Sequence, residues 1–198
     1  MPVELAVDLL VQQDGKQWHG ANTFSSGAVA ALEATLQGNG KSLAGAIVMM
    51  AGLDATARSL ARRIKDRGGK LIFAGRNRDD GARFSRQFGG RHIGIEGVYS
   101  MMHDVLVISG GTALDDISGE ESKSLHPSYL KAGMTVMDVT QIPRKSPFLA
   151  EAEARGCAIV LPRELLIAQV QAQVKRLTGK EPAPGILEKT LDALFEEE

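Results

Sequence analysis

The stretch Ala46-Ile-Val-Met-Met-Ala51-Gly52-Leu53-Asp54, continued to Gly68-Gly69 and Lys70-Leu-Ile-Phe-Ala74, sets the architecture of this chain. Residues 46–51 form an apolar run of strand length. From Asp54 to Arg67, Ala57, Leu60, Ala61 and Ile64 share one helical face, while Arg58, Arg62, Lys65 and Asp66 fall mostly on another. Gly68-Gly69 stops that helix, and residues 70–74 form the next apolar run. Helical periodicity between two short apolar runs spells a βαβ unit, whose strands are parallel.

Outward from this unit the alternation continues. A helix is predicted over Asp79 to Phe88, ended by Gly89-Gly90, with short strands over Arg91 to Ile95, Asp104 to Ile108, Thr135 to Asp138 and Ala158 to Val160. Ser146-Pro147 opens another helix, because proline at a first helical position forfeits only an N–H that would be unpaired there. Leu166, Val170, Val174 and Leu177 recur at helical spacing after Pro162, and a last helix is expected from Pro184 to the acidic tail Glu196-Glu-Glu198. At the start, Val3 to Val11 and Gln17 to His19 read as a hairpin around Asp14-Gly15, followed by a helix from Ser25 or Ser26 to Leu36. The expected fold is α/β, Rossmann-like: a doubly wound, mostly parallel sheet with helices on both faces.

Composition excludes several function classes. The 198 residues carry 23 Lys+Arg against 24 Asp+Glu, for a net charge of −1 spread along the chain. Nucleic acids and anionic membranes select concentrated basic faces, so neither is an expected partner. The longest apolar runs are too short to span a bilayer. A single cysteine, Cys157, cannot form an internal disulfide, and a reducing cytoplasm is the expected setting. His19, His92, His103 and His126 lie on different predicted elements without ligand spacing, so no metal site is expected. Cys157, between Gly156 and an apolar strand, reads as a small buried hydrophobe.

The first turn of a βαβ unit is where a dinucleotide's pyrophosphate binds, since glycines admit the backbone and the helix N-terminus supplies N–H donors. Of a glycine-rich pattern only Gly52 is present here, and Asp54 stands at the N-cap position, where its carboxylate would repel a phosphate. The end of the second strand reads Gly75-Arg76-Asn77-Arg78, with no acid before Asp79. An acid there holds the ribose 2′-OH of NAD, whereas arginine accommodates the 2′-phosphate of NADP, so a bound dinucleotide would be NADP. Two readings stay open: a nucleotide loop, or a well-capped structural helix beside solvated arginines.

In order and spacing these residues resemble the shikimate dehydrogenases, NADP-dependent enzymes that reduce 3-dehydroshikimate. Gly20-Ala-Asn-Thr23 with Gly27 is similar to the family's Gly-Tyr-Asn-Thr-Asp-x-x-Gly, and Gly52 through Ala57-Arg58 to Gly-Ala-Gly-Gly-x-Ala-Arg. Ala74-Gly-Arg76 resembles Ala-Asn-Arg-Thr; Asp138 with Pro143 and Ser146-Pro-Phe-Leu149 resembles Asp-x-x-Tyr-x-Pro and Thr-Pro-Leu-Leu. Glu151 to Cys157, Leu165-Leu166 with Gln169, and Thr178-Gly-Lys180 complete the match. The resemblance implies that residues 1–22 are a remnant of the family's substrate domain and 23–198 its NADP-binding domain with the C-terminal helices. It assigns cofactor contacts to Gly52, Ala55, Thr56, Ala57, Arg76, Asn77 and Arg78, and substrate contacts to Gln169 and Asn22.

The departures bear on catalysis. The family's catalytic Asp corresponds to Phe24, and a phenyl ring cannot move the proton that carbonyl reduction requires. The hydrogen-bonding Tyr corresponds to Gln141, Asn-x-Thr has become Ile108-Ser109-Gly110, and the domain bearing the catalytic lysine has no counterpart in these residues. Asn22 and Thr23 also fit a helix start, and Gln169 a helix boundary, for purely local reasons. The expectation is an NADP(H)-binding, shikimate dehydrogenase-like domain with no catalytic residues of its own. Its expected partner is a missing substrate domain or a fused dehydroquinate dehydratase. The alternative is a degenerate structural or regulatory module that binds no nucleotide. Oligomeric state is left open.

Overall fold

A computed structural model describes residues 6–13, 15, 17–109 and 125–195. The central βαβ unit comprises β3 (Ile47–Ala51), α2 (Ala55–Asp66) and β4 (Lys70–Ala74), which pair in parallel with Ile47 opposite Lys70 and Ala51 opposite Ala74. With β5 (Arg91–Ile93), β6 (Val105–Ile108), β7 (Thr135–Asp138) and β8 (Ala158–Ile159) they build one six-stranded parallel sheet in the order β5-β4-β3-β6-β7-β8. That is the doubly wound order, its direction of winding reversing between β3 and β6.

Both faces of the sheet are covered. Val48, Met50, Phe73, Val105, Val107 and Met137 point to one side. They pack there against α1 (Thr23–Gly38), α2, α3 (Arg78–Phe88) and the start of α5 (Pro162–Thr178). Met49, Ile72, Leu106, Ile108 and Val136 point to the other, against α4 (Pro147–Ala154) and two short 3-10 turns, Ile95–Tyr99 and Pro127–Tyr129. Strands buried on both faces read as continuous apolar runs, which is why residues 46–51 and 70–74 show no alternation. A separate antiparallel hairpin, β1 (Leu9–Gln13) and β2 (Gln17–Ala21), precedes α1, and α6 (Ile186–Phe195) closes the described chain.

Local differences from the sequence expectation have capping causes. Helix α1 starts at Thr23 because the Asn22 side chain accepts the Ser25 N–H at 2.7 Å, making Asn22 the cap. Asn77 likewise accepts from Asp79 and Asp80 N–H, so α3 begins at Arg78. Strand β5 ends at Ile93, two residues short of the expected Ile95, since Gly94 opens a 3-10 turn over Ile95–Tyr99. Residues 1–5, Asp14 and the tail 196–198 lie outside the described residues, so the first part of the expected hairpin and the acidic end are not described.

Candidate functional site

The C-terminal ends of β3, β4 and β6 enclose the crevice at the point where the winding reverses, the place where open α/β sheets bind ligands. Gly52, at φ +94, turns the chain out of β3 in a conformation that side-chain-bearing residues rarely adopt. Its N–H donates to the Ala74 carbonyl at 3.2 Å, and its own carbonyl accepts from the buried Ser109 hydroxyl at 3.2 Å. Ser109 N–H in turn donates to Ala51 O at 2.9 Å. The three strand ends are thus laced together around Gly52. Ser109 is a contributor that sequence reasoning had noted only as a lost Asn-x-Thr; no local signal marked its hydroxyl.

Asp54 caps α2. One carboxylate oxygen accepts the Ala57 N–H at 2.7 Å, and the Asp54 carbonyl accepts from Arg58 N–H at 3.1 Å. This leaves the N–H groups of Ala55 and Thr56 as the donors at the mouth of the turn. Ala57, also expected at the cofactor, is fully buried, and its N–H is held by Asp54. Arg58 lies back over the Phe84 ring, 5.3 Å from its centroid, joining α2 to α3.

At the end of β4, Gly75 is buried; a Cβ there would sit 2.7 Å from Leu53 Cδ1. Arg76, Asn77 and Arg78 follow as exposed residues. The Asn77 side-chain oxygen is engaged in capping α3. His92 Nε2 approaches the Gly75 carbonyl at 3.2 Å and its ring packs on Gly81, where a Cβ would come within 2.0 Å of it. The first turn of α3 carries Asp79 and Asp80, with Asp80 paired to Arg83 at 3.4 Å.

The residues expected at a substrate lie on α1 and α5. Asn22 is 8% exposed, and both ends of its amide are engaged, Nδ2 donating to Ala6 O at 3.0 Å and Oδ1 accepting from Ser25 N–H. Phe24 is half-buried and packs against the core beneath α1. Gln169 is half-buried on α5, where the helix passes so close to α1 that a Cβ on Gly27 would lie 2.7 Å from Gln169 N. Asp8 is an unanticipated member of this region. Its carboxylate accepts the backbone N–H groups of Thr23 and Phe24, at 2.7 and 2.6 Å, across a sequence separation no local pattern reveals.

Asp138, at the end of β7, is buried and accepts from Thr140 N–H at 2.9 Å, Thr140 Oγ1 at 2.6 Å and Ser146 Oγ at 2.5 Å. Ser146 meanwhile caps α4. Every element of this cluster is spent on structure. Cys157 is buried, its thiol pushed above its ordinary range by burial. Among the described residues no group of three or more His, Cys, Asp or Glu could hold a metal ion, and no helix is long and apolar enough to cross a membrane.

Comparison with known proteins agrees with this architecture. No protein-family model matches the chain. The shikimate dehydrogenase (NADP(+)) of Acidiphilium cryptum is 29% identical over 150 residues, covering 76% of this chain and 52% of that protein. The chloroplastic bifunctional 3-dehydroquinate dehydratase/shikimate dehydrogenase of Arabidopsis thaliana is 26% identical over 183 residues, covering 87% of this chain and 30% of its own. The chain therefore spans about half the length of one curated relative and under a third of the other. The crystal structure of shikimate dehydrogenase from Aquifex aeolicus superposes with a TM-score of 0.79 at 18% identity, over 95% of this chain and 67% of that one. The chain is related in sequence to the shikimate dehydrogenases and has their Rossmann-like fold.

Proposed function

We propose that this relative of the shikimate dehydrogenases is an NADP(H)-binding domain that is not catalytic by itself. The observation that carries the reading is the turn at Gly52. It stands at the reversal of a doubly wound sheet, with positive φ, and opens onto the N–H donors of Ala55 and Thr56. Arg76 and Arg78 follow β4 in the place where a 2′-phosphate is read, with no carboxylate ahead of them. A bound nicotinamide would supply hydride chemistry. The chain's own residues would hold the pyrophosphate and the adenosine end, while the half-buried ring of Phe24 gives no group to move a proton.

The partner domain belongs to the same proposal. On the hairpin, Leu10 opposite Gly20 and Trp18 opposite Gln12 share one face, and Leu10 and Trp18 are 62% and 63% exposed. Leu177, Ile186 and Leu194 are exposed on α5 and α6. We read this exposed apolar surface as the side that would meet a substrate domain, either in one polypeptide or fused to a dehydroquinate dehydratase. The reducing cytoplasm is the compartment we assign.

One observation favours the alternative, a module that binds no nucleotide. The Asp54 carboxylate sits on the very helix terminus a pyrophosphate would use. Calorimetric titration of NADPH and NADH against the chain and two variants decides between them. The expected result is micromolar or weaker NADPH binding, lost in Arg76→Ala and tightened about tenfold in Asp54→Ser, which keeps a capping hydroxyl but removes the charge. Absence of NADPH binding in both the parent chain and Asp54→Ser would establish the structural module.

A further inference from the structure

The edge of the sheet opposite the crevice carries a second hollow that the nucleotide reading does not use. It is a groove of about 480 Å³ at the N-terminal ends of β3, β6 and β7, walled by Tyr99, Met101, Met102, His103, Tyr129 and Met134. Its size falls in the range of roughly 300–1,000 Å³ typical of small-molecule sites. The Tyr99 and Tyr129 rings meet edge to face with centroids 5.1 Å apart, and the His103 ring lies 6.1 Å from that of Tyr129. Tyr99 is fixed by accepting the His126 N–H on its hydroxyl at 2.9 Å.

Beneath this wall the polar atoms are unpaired. Tyr129 Oη and His103 Nε2 are buried and have no hydrogen-bond partner among the described residues. Folded proteins pair nearly all such atoms, so these two, facing one groove, point to a ligand group. The chemistry of that group follows from the histidine tautomer. Nδ1 of His103 lies 2.8 Å from the Met101 carbonyl, which can only accept, so Nδ1 carries the proton and Nε2 presents a lone pair. Burial lowers the pKa of His103 and keeps the ring neutral, and burial raises that of Tyr129, which stays a phenol able to donate.

We propose that this groove binds a small uncharged ring compound bearing a hydroxyl group, which donates to His103 Nε2 and accepts from Tyr129 Oη. Aromatic faces and methionine thioethers favour a ring. The rim favours no net charge, because Lys131 is offset by Asp104, whose carboxylate is engaged by the Ile47 N–H at 2.8 Å. Methionine is the side chain most able to move aside, and Met102 is 87% exposed, so the wall can admit the ring to atoms it otherwise shields.

Phenol and toluene, alike in shape but differing in the hydroxyl, are the probes, titrated into the full chain with its methionine methyl groups observed by NMR. Phenol is expected to shift the Met101, Met102 and Met134 resonances saturably, and toluene to bind about a hundredfold more weakly, the value of the two hydrogen bonds it cannot make. Tyr129→Phe, which deletes an unpaired hydroxyl and leaves the ring packing, is expected to weaken phenol about tenfold and leave toluene unchanged. Equal binding of the two probes, no saturable shift, shifts confined to the crevice at Gly52, or phenol binding indifferent to Tyr129→Phe would each overturn the assignment. These outcomes are independent of the NADPH titration.

Discussion

The Asp8 carboxylate straddles the start of α1: one oxygen accepts from both the backbone N–H and the hydroxyl of Thr23, at 2.7 and 2.9 Å, and the other from Phe24 N–H at 2.6 Å. Two orphan donors of a 16-residue helix are thereby satisfied by a negative charge, which the helix dipole also favours. The same contact fastens the hairpin strands to the α/β body. A two-stranded hairpin has little stability of its own, so its order is expected to depend on this clamp. Asp8→Ala should lower stability by about 1–2 kcal/mol, the usual range for a lost cap with charge-assisted bonds. Urea unfolding reads that loss, and amide exchange reads its location. Amides of β2 exchanging no faster in the variant would show that the hairpin is held by something else.

Glycines 27 and 38 lie on the same helix and are expected to respond with opposite signs to the same substitution. A Cβ on Gly27 would stand 2.6 Å from the Ala168 carbonyl carbon, which is backbone and cannot swing away, so Gly27→Ala must push α1 and α5 apart. Overpacking of this kind costs about 1–3 kcal/mol. A Cβ on Gly38 meets nothing within 4 Å, and Gly38→Ala should stabilise by about 0.5–1 kcal/mol through helix propensity. Thermal or urea unfolding of the two variants side by side checks both signs; Gly27→Ala matching the parent would mean that the helices do not meet as described.

What could be read in advance divides by the range of the interaction. The strands around Gly52 and the helices between them were legible because continuous apolar runs and 3.6-residue periodicity are local, and the Asp54 cap because a capping residue announces itself one turn from its target. Helix α1 starts two or three residues before the expected Ser25 or Ser26, and α3 one residue before Asp79, since Asn22, Ser25 and Ser26 are all credible caps and only the geometry selects Asn22. Ile95, expected as the last residue of a strand, is the first of a 3-10 turn. Beyond that, the Asp8 clamp, the Ser109 hydroxyl on Gly52 and the unpaired Tyr129 and His103 atoms join residues far apart in the chain. No pattern within one segment encodes them. The family resemblance supplied candidate site residues: Asn22 is the helix cap that its local reading also offered, and Asn77 caps α3 without having been read that way.

His103 gives the stability of the fold a defined pH dependence. Burial disfavours its charged form and lowers its pKa from the ordinary 6.5, against smaller opposing effects of the Met101 carbonyl and Asp104. Below pH 6.5 the unfolded chain takes up a proton that the folded imidazole refuses, so the unfolded state binds more protons and stability falls as pH falls. The contribution is fully present above the unfolded pKa and is lost once the pH has dropped through the folded one. For this one group the slope cannot exceed about 1.4 kcal/mol per pH unit, and its exposed part lowers it further. Replacing the ring by an amide, His103→Gln, removes the titration while keeping a polar side chain of similar length. Urea unfolding from about pH 7 down to about pH 5 is therefore expected to show a flatter acid limb for His103→Gln than for the parent chain, with the two curves parallel above the ordinary histidine range. Identical acid limbs would show that the folded imidazole takes up its proton as readily as the unfolded one.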